Sequence, residues 1–335
     1  AYPAPVPAGP MVPAYPPAKL TLSGFAGSLT WQRIFWTGSE RIQMVDVRDP
    51  LELFSESDIA NLLAKELRQN LRRYRQNPHP RGILLAGQPG AGKTGLSDLM
   101  ISLLDGNAVF INADEYRRYH PNYRALFQKY GVDAVEKTAA FSATVTEKLI
   151  AEMSDRHINL IIEGTGRTVE VPRATARLLA SKGYDVELAV LAVRPEISLT
   201  STLLRFYQMN EGGTIPRATA IGAHDAVVRV LPENLDVLCE EPSISRLTIW
   251  DRELRCLFDS VEDRREPSAV LVRFWNRPWT EEELRAAKRN ITLLRQQETA
   301  SQLGQGDAID ELEHRIRLVQ SENYRREAFD PEMTF

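Results

Sequence analysis

The sequence predicts an α/β fold, a parallel sheet flanked by helices, on three observations. Short, largely apolar runs such as GILLAG (82–87), AVFIN (108–112) and NLIIEG (159–164) have the character of strands buried on both faces. They alternate with longer stretches whose apolar residues recur at helical spacing. A glycine-rich stretch, GQPGAGKT (87–94), follows the first run and opens the next helical stretch.

Taken in order, residues 1–19 (AYPAPVPAGPMVPAYPPAK) are dense in proline and favour extended polyproline II, which builds no core. They read as a tail or linker, with a docking motif for a proline-reading partner as the alternative. Residues 20–54 form an N-terminal extension of unknown role, with aromatics at Phe25, Trp31, Phe35 and Trp36 that suit packing on the main body. The main domain spans 55–278. It opens with a helix that Ser55 can cap, with Ile59, Leu62, Leu63, Leu67 and Leu71 along one face. Strand 82–87 and a helix from Lys93 to Leu104 come next, then strand 108–112 and a helix near Asp133–Arg156. Strand 159–164, helix 172–182, strand 186–193, helix 197–209 and a last strand at 246–251 complete the pattern. Residues 279–335 read as two amphipathic helices around a polar turn. Neither sustains three heptads, so an antiparallel hairpin laid on the core is favoured over a partner-binding coiled coil.

Composition narrows the function classes. The 335 residues are 43% hydrophobic with a net charge of −4, which suits a large globular domain and argues against a general nucleic-acid binder. Cys239 and Cys256 have no Cys or His neighbours at zinc-ligand spacing and read as free thiols in a reducing compartment. No apolar run is long enough for a membrane helix, and the first residues lack the charged and apolar regions of a secretory signal. The chain begins at Ala1 and not at Met, so it can be a piece of a longer polypeptide.

The chemistry centres on Gly87, Gln88, Pro89, Gly90, Ala91, Gly92, Lys93, Thr94 and Gly95, which carry G-x-x-x-x-G-K-[ST] between a strand and a helix. Such a loop turns successive backbone N–H groups toward phosphate oxygens, and the helix N-terminus adds its dipole. Lys93 would reach the β- and γ-phosphates of ATP, and the Thr94 hydroxyl would hold Mg²⁺. Asp114, just past the second strand, is either a proton acceptor for a substrate hydroxyl, a carboxylate helping to hold Mg²⁺ or a helix N-cap. Glu163 ends the third strand ahead of Gly164, Thr165 and Gly166, where a charge needs water, metal or substrate to meet it. Glu147 alone reads as a solvated helix residue. Arg205 and Arg217 are either surface ion-pair partners or the mobile charges that small kinases place over a transferring phosphoryl group.

The segments LAGQPGAGKT, INADEYRRYHPNY, NLIIEGTGRT, KGYDVELAVLAV, RATAIGAHDAVV and LPENLDVL occur in an order and spacing that resembles the zeta toxins of epsilon/zeta toxin–antitoxin modules. The resemblance covers roughly residues 58–326. It implies a P-loop kinase-type sheet and an ATP-dependent kinase acting on the 3′-hydroxyl of the amino sugar of UDP-N-acetylglucosamine, which starves peptidoglycan synthesis. It also implies a separate, small helical antitoxin that blocks the nucleotide site, and a bacterial cytoplasmic setting. By this resemblance Lys93 and Thr94 serve ATP and Mg²⁺, and Asp114 is the general base. Glu147, Glu163 and Thr165 lie around the sugar nucleotide, and Arg205 and Arg217 embrace the phosphates. Asn112 departs from the family, which often carries an acid two residues before its base. Relatives on this fold, a plant-pathogen effector among them, phosphorylate other nucleotide-containing metabolites such as NAD. That keeps open a dinucleotide acceptor and delivery into another cell. A non-catalytic ATP-binding module is the reading from a different class.

Overall fold

Helices separate the first five strands from one another. The computed structural model describes residues 49–213, 216 and 218–329. The proline-rich segment 1–19, residues 20–48 of the N-terminal extension, and Arg217 lie outside the described residues. The elements are α1 (Glu56–Arg73), β1 (Arg81–Ala86), α2 (Lys93–Ser102), β2 (Val109–Asn112), α3 (Ala113–Tyr116), α4 (Tyr123–Tyr130) and α5 (Ala134–Lys137). They continue with α6 (Ala139–Ser154), β3 (Leu160–Glu163), α7 (Glu170–Ser181), β4 (Asp185–Leu191), α8 (Pro195–Glu211) and α9 (Ile221–Cys239). The chain then forms β5 (Arg246–Trp250), β6 (Cys256–Asp259), α10 (Pro267–Asn276), α11 (Glu281–Ser301) and α12 (Gly306–Phe329).

The six strands form one sheet in the order β2-β3-β1-β4-β5-β6. The first five are parallel, as their apolar runs predict, and β6 adds an antiparallel edge against β5. β1 lies between β3 and β4, where the order of the sheet changes direction, so a crevice opens beyond its C-terminal end. Alternation along β1 shows how both faces are filled. Leu84 and Ala86 join a core with residues of α1, α6, α7, α9 and α10, while Ile83 and Leu85 pack with Leu96 and Met100 of α2.

Local chemistry explains the boundaries. Ser55 caps α1 through a reciprocal box with Asp58, their side chains satisfying each other's backbone N–H groups at 3.2 and 2.8 Å. The single helix expected near 133–156 is two, α5 and α6, parted at Thr138. Its buried hydroxyl donates to the carbonyls of Ala134 (2.9 Å) and Val135 (3.2 Å), competing with the helical ladder. The C-terminal pair forms as expected. α11 starts in a Thr280/Glu283 capping box and ends at Gln302 in the left-handed conformation. α11 and α12 then cover α8, in a third cluster that joins Leu199, Leu203, Phe206 and Tyr207 to Ile291, Leu294, Ile309, Leu312 and Ile316.

Candidate active site

The loop between β1 and α2 is shaped by its glycines and held from outside. Gly92, the residue before the first turn of α2, has φ +90°, and Gly90 has φ +77°, both in the left-handed region open to glycine. Gly90 also passes so close to α8 that a Cβ there would stand 2.0 Å from the carbonyl oxygen of Ser198. Arg252, in the turn after β5, clamps the loop. Its Nη2 donates to Gly90 O at 2.8 Å and to Ser201 Oγ at 3.0 Å, and its Nε donates to Ala91 O at 3.0 Å. Because a trans peptide sets its N–H opposite its carbonyl, holding Ala91 O turns the Gly92 N–H away from Arg252.

Lys93 lies at the centre. Its side chain is 8% exposed, and its Nζ donates to Gly87 O at 3.0 Å and stands 3.5 Å from Glu163 Oε1. Burial pushes the Lys93 ammonium pKa down from the ordinary 10.5. Glu163 and then Asp114 pull it back up, and Arg205 opposes them. Register brings these groups together: Leu85 of β1 pairs with Glu163 of β3, which pairs with Asn112 of β2. Asn112 then ties the Glu163 carboxylate to the backbone of Asp114, its Nδ2 donating to Glu163 Oε2 at 3.0 Å and its Oδ1 accepting from the Asp114 backbone N–H at 2.9 Å. This accounts for the departure at Asn112: its amide can donate to Glu163, whereas an ionised acid there would meet a like charge. Asn112, not Asp114, caps α3. The Asp114 carboxylate is 59% exposed at the lip of the site, and its Oδ1 accepts from Arg117 Nε at 2.8 Å.

The other predicted residues divide. Thr94 is exposed at the start of α2, its hydroxyl clear of the core, and no Cβ contact would arise within 4 Å at Gly95 beside it. That open hydroxyl fits a Mg²⁺ held jointly with nucleotide phosphates. Among the described residues no group of three or more His, Cys, Asp or Glu could hold a metal alone. Thr165 borders the loop, its carbonyl accepting from Gly87 N–H at 3.4 Å. Arg205 is exposed on α8, near enough for its charge to act on Lys93. Glu147 stands apart on the exposed face of α6. Among the described residues no hydrogen bond or ion pair ties it to Lys93, Glu163 or Asp114. Arg217 lies outside the described residues. Arg252 and Arg117 escaped the sequence reading. Arg252 follows directly on a strand's C-terminal end, the position that singled out Asp114, and the same rule applied to TIWDR would have found it.

A parallel sheet with a phosphate-type loop at its switch point, and a buried lysine 3.5 Å from the carboxylate that ends the neighbouring strand, defines a protein of the P-loop kinase fold class. Comparison with known proteins narrows this. Residues 64–263 match the zeta toxin family. The chain is 39% identical over 233 residues to the toxin PezT of Streptococcus pneumoniae serotype 4, covering 69% of this chain and 91% of that one. It is 36% identical over 210 residues to the toxin zeta of Streptococcus pyogenes, covering 62% and 73%. The solved structure of the PezAT chromosomal toxin–antitoxin system of Streptococcus pneumoniae superposes with a TM-score of 0.67 at 35% identity, over 74% of this chain and all of that one. The chain belongs to the zeta toxin family. Among the described residues no helix is long and apolar enough to cross a membrane.

Proposed function

We propose that this protein is an ATP-dependent kinase that phosphorylates the 3′-hydroxyl of the amino sugar of UDP-N-acetylglucosamine. It would thereby inhibit peptidoglycan synthesis in a bacterial cytoplasm, under the control of a separate antitoxin protein. The observation that carries the reading is the line from Gly87 through Lys93 and Glu163 to Asn112 and Asp114 across three adjacent strand ends. It sets a cation against the phosphate loop and a carboxylate at the open lip, the two charges that transfer to a hydroxyl requires.

In this reading Gly87–Gly95 and Lys93 hold the ATP phosphates, and Thr94 is the residue that would hold Mg²⁺. Bound there, the ion neutralises phosphate charge. Asp114, oriented by Arg117, accepts the proton as the acceptor oxygen bonds to the γ-phosphorus and the bond to the β-phosphate oxygen breaks, releasing ADP. Arg205 and Arg217 balance the charge spread over the transferring group. Glu147, Glu163 and Thr165 would contact the sugar nucleotide. Glu163 also offsets part of the burial that lowers the Lys93 pKa. Membership of the zeta toxin family supports the antitoxin partner, since the solved relative is described as part of a toxin–antitoxin system.

Mass spectrometry of UDP-N-acetylglucosamine and of NAD, each incubated with protein, ATP and Mg²⁺, tests the reading. The expected result is one phosphate added to the sugar nucleotide, lost in Asp114→Asn while ATP still binds. Phosphate on NAD alone overturns the acceptor, and an Asp114→Asn protein with most of its activity overturns the base.

A further inference from the structure

Behind the phosphate loop a chain of buried polar groups runs to the last helix. Gln88 is fully buried, and its Nε2 donates to the carbonyl of Val193 and to Ser198 Oγ at 3.3 Å. Ser198 Oγ is 2.8 Å from His224 Nε2, and His224 Nδ1 is 3.0 Å from Asp225 Oδ1. Both Asp225 oxygens accept from Arg315 of α12, at 2.9 and 2.7 Å, and Arg315 Nε donates to Glu311 at 2.8 Å. Ser198 and His224 are each 0% exposed.

The order Ser–His–Asp has the connectivity of a hydrolase triad, but burial rules that out. No substrate reaches a serine covered by the loop itself, whose Gly90 lies against the Ser198 carbonyl. Proton counting gives the group another role. Asp225, paired with Arg315, is an acceptor, so His224 Nδ1 carries a hydrogen. With the imidazole neutral, Nε2 is then an acceptor facing the Ser198 hydroxyl at 2.8 Å, the shorter of that hydroxyl's two acceptor contacts, the other being Pro195 O at 3.0 Å, and the Ser198 lone pairs remain for Gln88 Nε2. The links from Gln88 through Ser198 and His224 to Asp225 can then share one direction, and the tautomer is fixed by an arginine on α12. Gln88 Oε1 has no hydrogen-bond partner among the described residues, a desolvation cost that a side chain serving packing alone would shed.

We propose that Ser198 and His224 are positioning residues for the phosphate loop, braced by Asp225 and Arg315, so that nucleotide affinity depends on the seating of α12. The inference rests on the reading of Gly87–Gly95 as a nucleotide site, and its test separates the two. Mant-ATP binding to the full chain is measured for the unaltered protein, Ser198→Ala, Arg315→Met and the double variant, with melting temperatures and steady-state kinetics for both substrates. Ser198→Ala is expected to weaken mant-ATP binding by about fivefold, the scale of one neutral hydrogen bond, and Arg315→Met, which removes a charged pair, by at least as much. The double variant should be no weaker than the worse single, because both break one chain. KM for the acceptor should hold while KM for ATP rises, a split that general destabilisation does not produce. His224→Gln, whose amide can span the same two partners, should keep more affinity than His224→Ala. Singles that bind as the unaltered chain does, or losses that multiply in the double variant, overturn the inference. Should Ser198→Ala melt below the assay temperature, Arg315→Met and the His224 pair decide alone. No binding by the unaltered chain overturns the nucleotide reading and the inference with it.

Discussion

In a Gly90→Ala chain the new Cβ would sit 2.0 Å from Ser198 O and 2.7 Å from Thr202 Cγ2, where ordinary contact begins at 3.4 Å. The nearer atom is backbone in the first turns of α8, so no side-chain rotation relieves it. The loop and the helix must part by roughly an ångström or more. The backbone adds its own cost, because φ +77° lies in the left-handed region, where an L-residue loses about 1–2 kcal/mol. Overpacking of this kind costs about 1–3 kcal/mol, so the expected loss is about 2–5 kcal/mol. Gly95→Ala is the contrast. Nothing lies within 4 Å of its Cβ and it sits inside α2, so the chain should gain about 0.5–1 kcal/mol. Urea unfolding with a folded-state marker, followed by mant-ATP titration, measures both effects. A Gly90→Ala protein that unfolds at the same urea concentration as the unaltered chain and binds nucleotide equally well would refute the close approach of loop and helix.

Two further outcomes follow from buried charge. Lys93→Met removes an ammonium that burial already disfavours, and Glu163 keeps Asn112 as a partner. Phosphoryl transfer should fall about a hundredfold or more, while the melting temperature stays within about 3 °C. A collapse in stability with it would show that the lysine is structural. Acidification should weaken the fold through His224. Burial lowers its pKa below the ordinary 6.5, outweighing the pull of Asp225, with Arg315 acting in the same direction as burial and Glu196 against it. The unfolded chain therefore binds more protons. Stability present above about pH 6.5 is lost as pH falls toward and through the depressed value. The Arg315-held Asp225 titrates below the ordinary 3.8 and begins to contribute only there. Urea midpoints at pH 7.5 and 5.5 should differ less in His224→Gln than in the unaltered chain, and an equal difference would remove His224 as the cause.

The phosphate loop and the five parallel strands were legible because each depends on a local signal: glycine spacing in one case, short and mostly apolar runs in the other. α9 was not. Its interior Pro232 reads as a helix breaker, yet buried Leu231, Leu235 and Leu238 tether both sides of the proline to the core. β6 was missed because CLFD is four residues long and pairs antiparallel at an edge, with no run to betray it. α10 lies in a stretch, PSAVLVRFWN, whose apolar residues suit either structure. At the site, Lys93 stood out through the glycine-rich motif, and Asp114 and Glu163 as charges at strand ends. Asn112 stood out only as a departure, and Arg117 and Arg252 not at all, because their importance lies in partners that only the folded chain supplies. The link from Ser198 to His224 and Arg315 spans three helices and is invisible to any local pattern.

The covering of α8 by α11 and α12 has a consequence for the chain while it is being made. Leu199, Leu203, Phe206 and Tyr207 leave the ribosome long before Ile309, Leu312 and Ile316, which bury them. At about 5–20 residues per second the interval is roughly 5–20 s. During that time a greasy helix face beside the phosphate loop is open to chaperones and to other nascent chains. The kinase half cannot settle its last wall until translation has passed α12, so a ribosome stalled in the C-terminal helices would release a chain whose phosphate loop lacks its bracing.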